Sequence, residues 1–282
     1  MKKKLKKLIK RFTSPPPVVP VVRLEGVIAG SSRYQEALNL RSIGDELTKA
    51  FEMDRATVVA IVISSPGGSP THSALVHDRI RHLAEKNKKE VLVFVEEIAA
   101  SGGYFIACAG DKIYGLPSSV IGSIGVISAS FGLDKLIEKL GVARRVQTSG
   151  ERKGFMDPFL PENPNDVERL SCLQKQLHEQ FIKHVKSRRS GAINGEDSDL
   201  FSGEFWLGQA AKDYGLVDEI GDLYSVLEER FGKDVQLSVL EKSKSWIREM
   251  LGFGARTQSP HNWVSALEYR TVWASNLARF GL

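Results

Sequence analysis

The segment that decides the fold is residues 91–110, which read VLVFVEEIAASGGYFIACAG. Its first five residues are apolar and rich in valine, the composition of a strand buried on both faces of a parallel sheet. Residues 104–109 are small and apolar, which favours a short helix packed closely against its neighbours. Ser101 therefore lies where a strand passes into a helix. A serine there can present its hydroxyl to a ligand beside the free N–H groups of the helix N-terminus.

The rest of the chain, up to about residue 240, continues this alternation of strands and helices. Apolar residues at 18–22 and 24 predict one further strand, and the mostly apolar segment 57–63 predicts a second, buried one. The second ends in the loop 64–70 (SSPGGSP), which opens a helix. Alternating strands and helices predict a parallel sheet with helices on both sides, and such sheets bind ligands at the carboxyl ends of their strands. We therefore expect the Pro-Gly-Gly loop to be a neighbour of Ser101.

Further elements are predicted downstream of this centre. Residues 118–127 predict a turn that runs into a strand, and 143–148 predict another strand. The polar loop 149–154 would then leave the carboxyl end of that strand. The apolar spacing over 165–189 predicts a long amphipathic helix, and 206–214 predict a shorter one.

The positive charge of the chain is concentrated at its N-terminus. The net charge is +5, yet seven of the first eleven residues are basic, so the remainder carries 32 basic and 34 acidic residues, a net of −2. This nearly neutral body does not favour nucleic-acid binding. The apolar side chains of the tail recur at i, i+3, i+4 and i+7, which predicts a short basic helix able to lie on an anionic inner leaflet. The alternative is a solvated, disordered tail.

The sequence also indicates a compartment and three segments. A proline run at 15–17 replaces the apolar core that a signal peptide needs, and no stretch is long enough to span a membrane, so we expect a cytoplasmic protein resting peripherally on the inner face of the membrane. Residues 1–17 form the basic tail and proline linker, 18–240 the main domain. Residues 241–282 form an apolar helical extension that needs a partner surface.

Cysteine and histidine give no sign of a metal centre. The two cysteines, Cys108 and Cys172, have no metal-ligand spacing around them, and none of the six histidines belongs to a ligand motif. Cys108 lies in an apolar segment and is best interpreted as a small buried hydrophobe. We therefore expect no metal and no cofactor.

A nucleophilic serine requires a group that takes its proton. No histidine lies between His82 and His178, so a lysine is the other possibility. A lysine can act as a base when burial lowers its pKa from ~10.4 towards 7. Lys153, in a Ser-Gly-x-x-Lys loop, is the candidate. The alternatives are a surface lysine, and a Ser101 that caps its helix while the glycines serve packing.

Four motifs in order extend this interpretation, and with them the chain resembles the signal peptide peptidase A family of serine peptidases. They are SPGG at 65–68, ASGGY at 100–104, GSIGV at 122–126 and SGERK at 149–153, and the resemblance covers residues 18–222. It implies an α/β fold of the Clp/crotonase type, with repeated ββα units around a parallel sheet. A C-terminal helical extension would follow that domain.

The resemblance also implies an activity and its residues. Ser101 would be the nucleophile and Lys153 the general base of a Ser–Lys dyad, with Ser123 orienting the lysine. The oxyanion hole would be formed by the backbone N–H groups of Gly68 and Gly102. Such an endopeptidase would cleave signal peptides or other apolar peptides, bound in extended form, through an acyl-enzyme. Family members form rings, so we expect a homo-oligomer.

The chain departs from the family in two respects. Bacterial members usually carry an N-terminal transmembrane anchor, and this chain has only about half the length of the members with a duplicated domain. Two other functional classes therefore stay open. One is a crotonase-type acyl-CoA enzyme, which shares the fold and the paired-amide hole without needing Ser101 or Lys153. The other is a non-catalytic scaffold associated with the membrane.

Overall fold

The computed structural model describes residues 16–30, 37–150 and 152–240. The predicted basic helix and the predicted C-terminal extension at 241–282 lie outside the described residues. None of the helices in the described ranges has both the length and the apolar character that crossing a bilayer requires.

Strands and helices alternate through most of the described chain. The strands are β1 (Val18–Glu25), β2 (Val58–Ser65), β3 (Glu90–Ala100), β4 (Lys112–Gly115), β5 (Val120–Gly122), β6 (Phe205–Leu207), β7 (Glu219–Ile220) and β8 (Gln236–Leu240). The helices are α1 (Leu40–Phe51), α2 (Pro70–Asn87), α3 (Gly102–Ala107), α4 (Asp134–Lys139), α5 (Pro164–Arg188), α6 (Asp197–Leu200), α7 (Gly208–Asp213) and α8 (Leu223–Phe231).

The described strands form one mostly parallel sheet. Its main order is β6-β5-β3-β2-β1-β8, with β4 pairing with β3 and β7. β3 is the longest strand and pairs first with β4 and then with β5 along the same edge. The register between β2 and β3 shifts after Ile63, where β3 advances by two extra residues. Irregularities of this kind bend a strand and change the direction of its end.

The two faces of the sheet are buried in separate cores, which explains the apolar runs of its central strands. Side chains point alternately to opposite faces of a strand. One face contributes Val59, Ile61, Ile63, Val91, Val93 and Val95 to the larger core, which α1, α2, α3 and α5 complete. The other face contributes Val58, Ala60, Val62, Leu92 and Phe94 to a smaller core, which α8 closes with Leu223 and Leu227.

The chain divides into two compact units. Among the described residues, the first unit holds 16–30, 37–126 and 177–240, including every strand named above, and the second holds 127–150 and 152–176. No described residue of the second unit is buried. Nine large apolar side chains of this unit are exposed: Ile127, Phe131, Leu136, Leu140, Val142, Val146, Leu160, Val167 and Leu173.

The structure confirms the α/β class and the mostly parallel sheet, but two predicted elements are wrong. Residues 143–148 form no strand, because no other described segment pairs with them. Arg144 is held there by an ion pair with Asp157 and lies over the Phe159 ring. The helix predicted at 206–214 begins only at Gly208, since Phe205–Leu207 pairs antiparallel with β5. Tertiary pairing has overridden the local helical pattern there.

Candidate active site

Three neighbouring strand ends converge on the predicted nucleophile. β2 runs into the loop that contains Gly67 and Gly68, β3 ends directly before Ser101, and β5 ends directly before Ser123. β3 and β5 are parallel with Ala100 opposite Gly122, and the Ser101 N–H continues this pairing by donating to the Gly122 carbonyl at 2.8 Å. The sheet register therefore fixes Ser101 beside Ser123.

Ser101 has a backbone conformation that is rare for a residue with a side chain. Its φ is 51° and its ψ is −121°, although it is not a glycine. Conformations of this kind cost of order 1–3 kcal/mol and persist only where surrounding structure enforces them. Here the N–H is bonded to Gly122, and the carbonyl accepts from the Phe105 N–H at 3.0 Å. The hydroxyl makes no capping hydrogen bond to the helix, which argues against the simple capping interpretation.

The loop after β2 packs its backbone directly against the start of α3. Ser65 Oγ donates to the Gly26 carbonyl at 2.7 Å and accepts from the Gly67 N–H at 3.2 Å. A Cβ atom added at Gly67 would lie 2.7 Å from the Gly102 nitrogen, so only glycine allows this approach. A Cβ atom added at Gly103 would lie 2.4 Å from the Ser65 carbonyl oxygen. The two segments are fixed against each other without intervening side chains.

Gly68 and Gly102 each present a free backbone N–H at this junction. Neither N–H donates a hydrogen bond to another residue within 16–30, 37–150 or 152–240. The two groups are close, because a Cβ added at Gly102 would lie 3.3 Å from the Gly68 nitrogen. Gly68 has a φ of 142°, and a Cβ there would lie 2.0 Å from the Ile28 carbonyl oxygen. Two neighbouring N–H groups beside a serine, without partners among the described residues, are the kind of donor set that can stabilise an oxyanion.

Ser123, after the adjacent strand end, has the same positive φ as Ser101. Its φ is 51°, and its N–H donates to the Glu204 carbonyl at 2.6 Å. Its partly exposed hydroxyl makes no hydrogen bond to any residue that the structure describes. Two serines whose hydroxyls have no partner among the described residues thus directly follow two adjacent strands.

Lys153 belongs to the second unit and is exposed. It lies in a turn in which its N–H donates to the Gly150 carbonyl at 3.2 Å, and it shares an open depression with Ser149, Gly150 and Arg152. The structure therefore brings Ser101, Ser123, Gly68 and Gly102 together in the first unit. It does not bury the lysine within the chain.

Burial keeps the side chains of Tyr104, in α3, and of Cys108, directly after it, uncharged. The Tyr104 hydroxyl donates to the Leu216 carbonyl at 2.8 Å, and burial raises its pKa well above the usual value. Burial likewise raises the pKa of the Cys108 thiol to about 12. Cys108 is therefore a buried, protonated thiol, as the sequence predicted.

Sequence reasoning missed two buried serines that support the site. Ser119 Oγ lies 2.9 Å from the Val95 carbonyl oxygen and 2.6 Å from that of Glu96. It therefore contacts β3 where the register with β2 shifts. Ser73 Oγ donates to the Ser69 carbonyl at 2.9 Å and lies directly against Gly102. The sequence carries no signal for either residue, because their importance depends on contacts between separate strands and helices.

The chain is similar in sequence to longer proteins, of which it covers different shares. The chain is 48% identical over 291 residues to a protein named Na(+)/H(+) antiporter NhaA from Brucella melitensis, covering 99% of this chain and 39% of that protein. It is 30% identical to a protein from Enterococcus faecium named as a signal peptide peptidase SppA, covering 70% of this chain and 58% of that protein. The chain thus spans less than two thirds of the length of these relatives.

A solved structure supports the fold. The 1510-N membrane-bound stomatin-specific protease superposes with a TM-score of 0.51 at 18% identity, over 81% of this chain and 99% of that one. A family model described as Clp protease matches residues 35–122, which hold β2, β3 and the strand ends described above. A second model, described as peptidase family S49, matches residues 83–236 and so spans Ser101, Ser123 and Lys153. Since that match covers more than half of the chain, this protein belongs to peptidase family S49.

Proposed function

We propose that this protein is a serine endopeptidase in which Ser101 is the nucleophile and the N–H groups of Gly68 and Gly102 form the oxyanion hole. The observation that carries the proposal is a pair of neighbouring N–H groups, without partners among the described residues, beside a serine held at a φ of 51°. Ser101 Oγ attacks the carbonyl carbon of a peptide bond, and the carbonyl oxygen takes negative charge facing both donors. Removing one such donor typically costs about 2.7–4 kcal/mol of transition-state stabilisation.

Lys153 is the general base in this proposal. Its neutral amine takes the proton of Ser101 during attack and returns it to the nitrogen of the leaving peptide, which leaves an acyl-enzyme. Water then attacks the ester with the same amine as base, and Ser101 regains its proton. Ser123 is proposed to orient the amine, which fits its free hydroxyl on the adjacent strand end.

A second copy of this chain is proposed to cover the second unit and keep Lys153 dry. A lysine is a base near neutral pH only when water is excluded from it. Lys153 is exposed in the single chain, and none of residues 127–150 and 152–176 is buried. A segment with nine exposed large apolar side chains and no core of its own is typical of a surface covered in an assembly. A homo-oligomeric ring, as the family resemblance implies, would cover this surface.

The proposed substrates are apolar peptides, including cleaved signal peptides, bound in extended form. An extended peptide can add to strand edges near the site through main-chain hydrogen bonds. We place the protein in the cytoplasm, peripheral to the inner face of the membrane, where the basic tail would meet anionic lipid. The relative named SppA is consistent with such substrates.

The decisive experiment is covalent labelling with a fluorophosphonate, followed by peptide mass mapping. We expect one adduct on Ser101 in the native protein and none in Ser101→Ala. Lys153→Ala and Lys153→Arg should fold normally and lose labelling, because a guanidinium stays charged and cannot accept a proton. A folded assembly that gives no adduct would favour the acyl-CoA enzyme or the scaffold. Substantial labelling of Lys153→Arg would exclude the lysine as base.

Assembly is tested separately by charge insertion into the exposed apolar surface. Leu140 is 68% exposed, so Leu140→Asp should leave the single chain folded while preventing its association. We expect a smaller particle by light scattering and loss of Ser101 labelling. Tyr224→Asp is the matched control, since Tyr224 is 64% exposed on the first unit. Labelling of a monomeric Leu140→Asp at the native rate would contradict the proposed role of the second copy.

A further inference from the structure

Helix α3, which begins directly after Ser101, ends with a carbonyl that its own backbone leaves unbonded. The Ala109 N–H donates to Ile106 at 2.9 Å, and the Gly110 N–H donates to Ala107 at 3.0 Å, so the helix tightens in its last turn. The Phe105 carbonyl therefore receives no helical hydrogen bond from Ala109. The partly buried Phe105 carbonyl must therefore obtain a donor from outside the helix.

The last turns of α5 supply these donors from one face. His184 Nε2 lies 3.1 Å from the Phe105 carbonyl oxygen. One turn later, Arg188 donates to the Cys108 carbonyl at 2.7 Å and to the Gly110 carbonyl at 3.2 Å. Residues four apart lie on the same side of a helix, so α5 acts as an external cap for α3.

His184 also contacts the Phe105 side chain. The two rings are stacked with centroids 3.6 Å apart and an interplanar angle of 6°, and His77 from α2 packs edge-on against His184 at 4.3 Å. The Phe105 N–H in turn bonds to the Ser101 carbonyl at 3.0 Å. Phe105 is thus held by His184 on one side and bonded to Ser101 on the other.

We propose that His184 is a positioning residue, which holds the first turn of α3 through Phe105 and thereby fixes Ser101 and the Gly102 N–H. This inference rests on the proposed function of Ser101 as nucleophile. It assigns a role outside the site to a histidine that takes no part in proton transfer. The donated hydrogen bond is the essential element, because stacking alone would leave the Phe105 carbonyl without a partner.

Two substitutions separate the hydrogen bond from the stacking. His184→Phe keeps a ring and removes the donor, whereas His184→Gln keeps a donor and removes the ring. Loss of one hydrogen bond corresponds to about tenfold in a rate or an equilibrium. We therefore expect His184→Phe to label Ser101 about tenfold more slowly and to exchange the amide hydrogens of residues 101–110 about tenfold faster. His184→Gln should return both values to within about twofold of native.

Two controls distinguish positioning from general destabilisation. His82→Phe replaces an exposed histidine of α2 and should change neither readout. Leu227→Ala removes a buried side chain from the opposite core and should lower the melting temperature while sparing the labelling rate of the folded protein. All rates are measured well below the melting temperature of each variant.

Each outcome bears on the proposal separately from the proposed function. Rescue by glutamine in both readouts supports the positioning role. Equal labelling and exchange in native protein and His184→Phe would overturn it, as would failure of glutamine to rescue either. If native protein gives no adduct on Ser101, the proposed function fails. Hydrogen exchange then still decides whether His184 holds α3.

Discussion

Replacing Gly102 with alanine tests the proposed oxyanion hole, because the added Cβ would displace one of its two proposed donors. The added Cβ would lie 2.4 Å from Ser73 Oγ and 3.3 Å from the Gly68 nitrogen. Ser73 is fully buried and its hydroxyl is bonded to the Ser69 carbonyl at 2.9 Å, so the side chain cannot simply turn away. The backbone of Gly102 must move instead, and its N–H moves with it.

Gly102→Ala is expected to affect stability and catalysis differently, so the two can be told apart. Alanine is better than glycine in a helix by up to ~1 kcal/mol, so the folded state can regain part of what the clash costs. A misplaced oxyanion donor, in contrast, costs about 10²–10³ in kcat. We expect labelling of Ser101 and peptide hydrolysis to fall about a hundredfold with only a small change in melting temperature.

A second substitution shows whether the clash with Ser73 is the cause. Ser73→Ala removes Oγ, after which the nearest atoms to the new Cβ are the Gly68 nitrogen and Ile28 Cδ1, both at 3.3 Å. The double variant should therefore regain most of the lost rate. Gly44→Ala in α1 is the matched control, because its Cβ would make an ordinary contact of 3.7 Å with Leu40. Native activity in Gly102→Ala, or no recovery in the double variant, would refute this reasoning.

Three further predictions rest on separate observations. Burial lowers the pKa of His184 to about 4, with His77 and Arg188 opposing protonation and Asp78 favouring it. As the pH drops from about 6.5 to about 4, the unfolded chain takes up this proton before the folded protein does, so the urea midpoint of unfolding should fall. His184→Gln should reduce that fall. The same dependence of the midpoint on pH in native protein and His184→Gln would contradict this prediction. In the monomeric Leu140→Asp variant, a maleimide should modify the exposed Cys172 and spare the buried Cys108 until the protein unfolds. Deleting residues 1–14 should abolish salt-sensitive binding to anionic vesicles, and unchanged binding would remove the tail from the membrane proposal.

The central strands could be predicted because their apolar sequence fits a strand that is buried on both faces. The runs at 58–63 and 91–95 are apolar at every position, and such runs fit strands whose two faces are both covered. The structure buries alternate residues of both runs in different cores. The carboxyl-end rule then brought the Pro-Gly-Gly loop beside Ser101, which the contact between Gly67 and Gly102 confirms.

The backbone angles and the edge pairing could not be predicted in this way. Ser101 and Ser123 have a positive φ because hydrogen bonds from other segments hold them, and serine itself has no such preference. Phe205–Leu207 resembles the start of a helix and becomes a strand because β5 offers it an edge. His184 gave no signal either, since its role depends on a carbonyl that lies 79 positions away in the sequence.

Ser101 is fixed within the single chain whereas Lys153 is exposed, and this difference has a physical cause. Strand pairing in one sheet fixes Ser101, Ser123 and the two N–H groups within the first unit. Lys153 belongs to a unit in which none of the described residues, 127–150 and 152–176, is buried. Ordering such a segment costs conformational entropy that only burial elsewhere can offset. Under our proposal, assembly therefore completes proton transfer and leaves the oxyanion hole unchanged. Diluting the protein should then lower kcat through the loss of the base, whereas KM for a peptide bound beside the hole should change little.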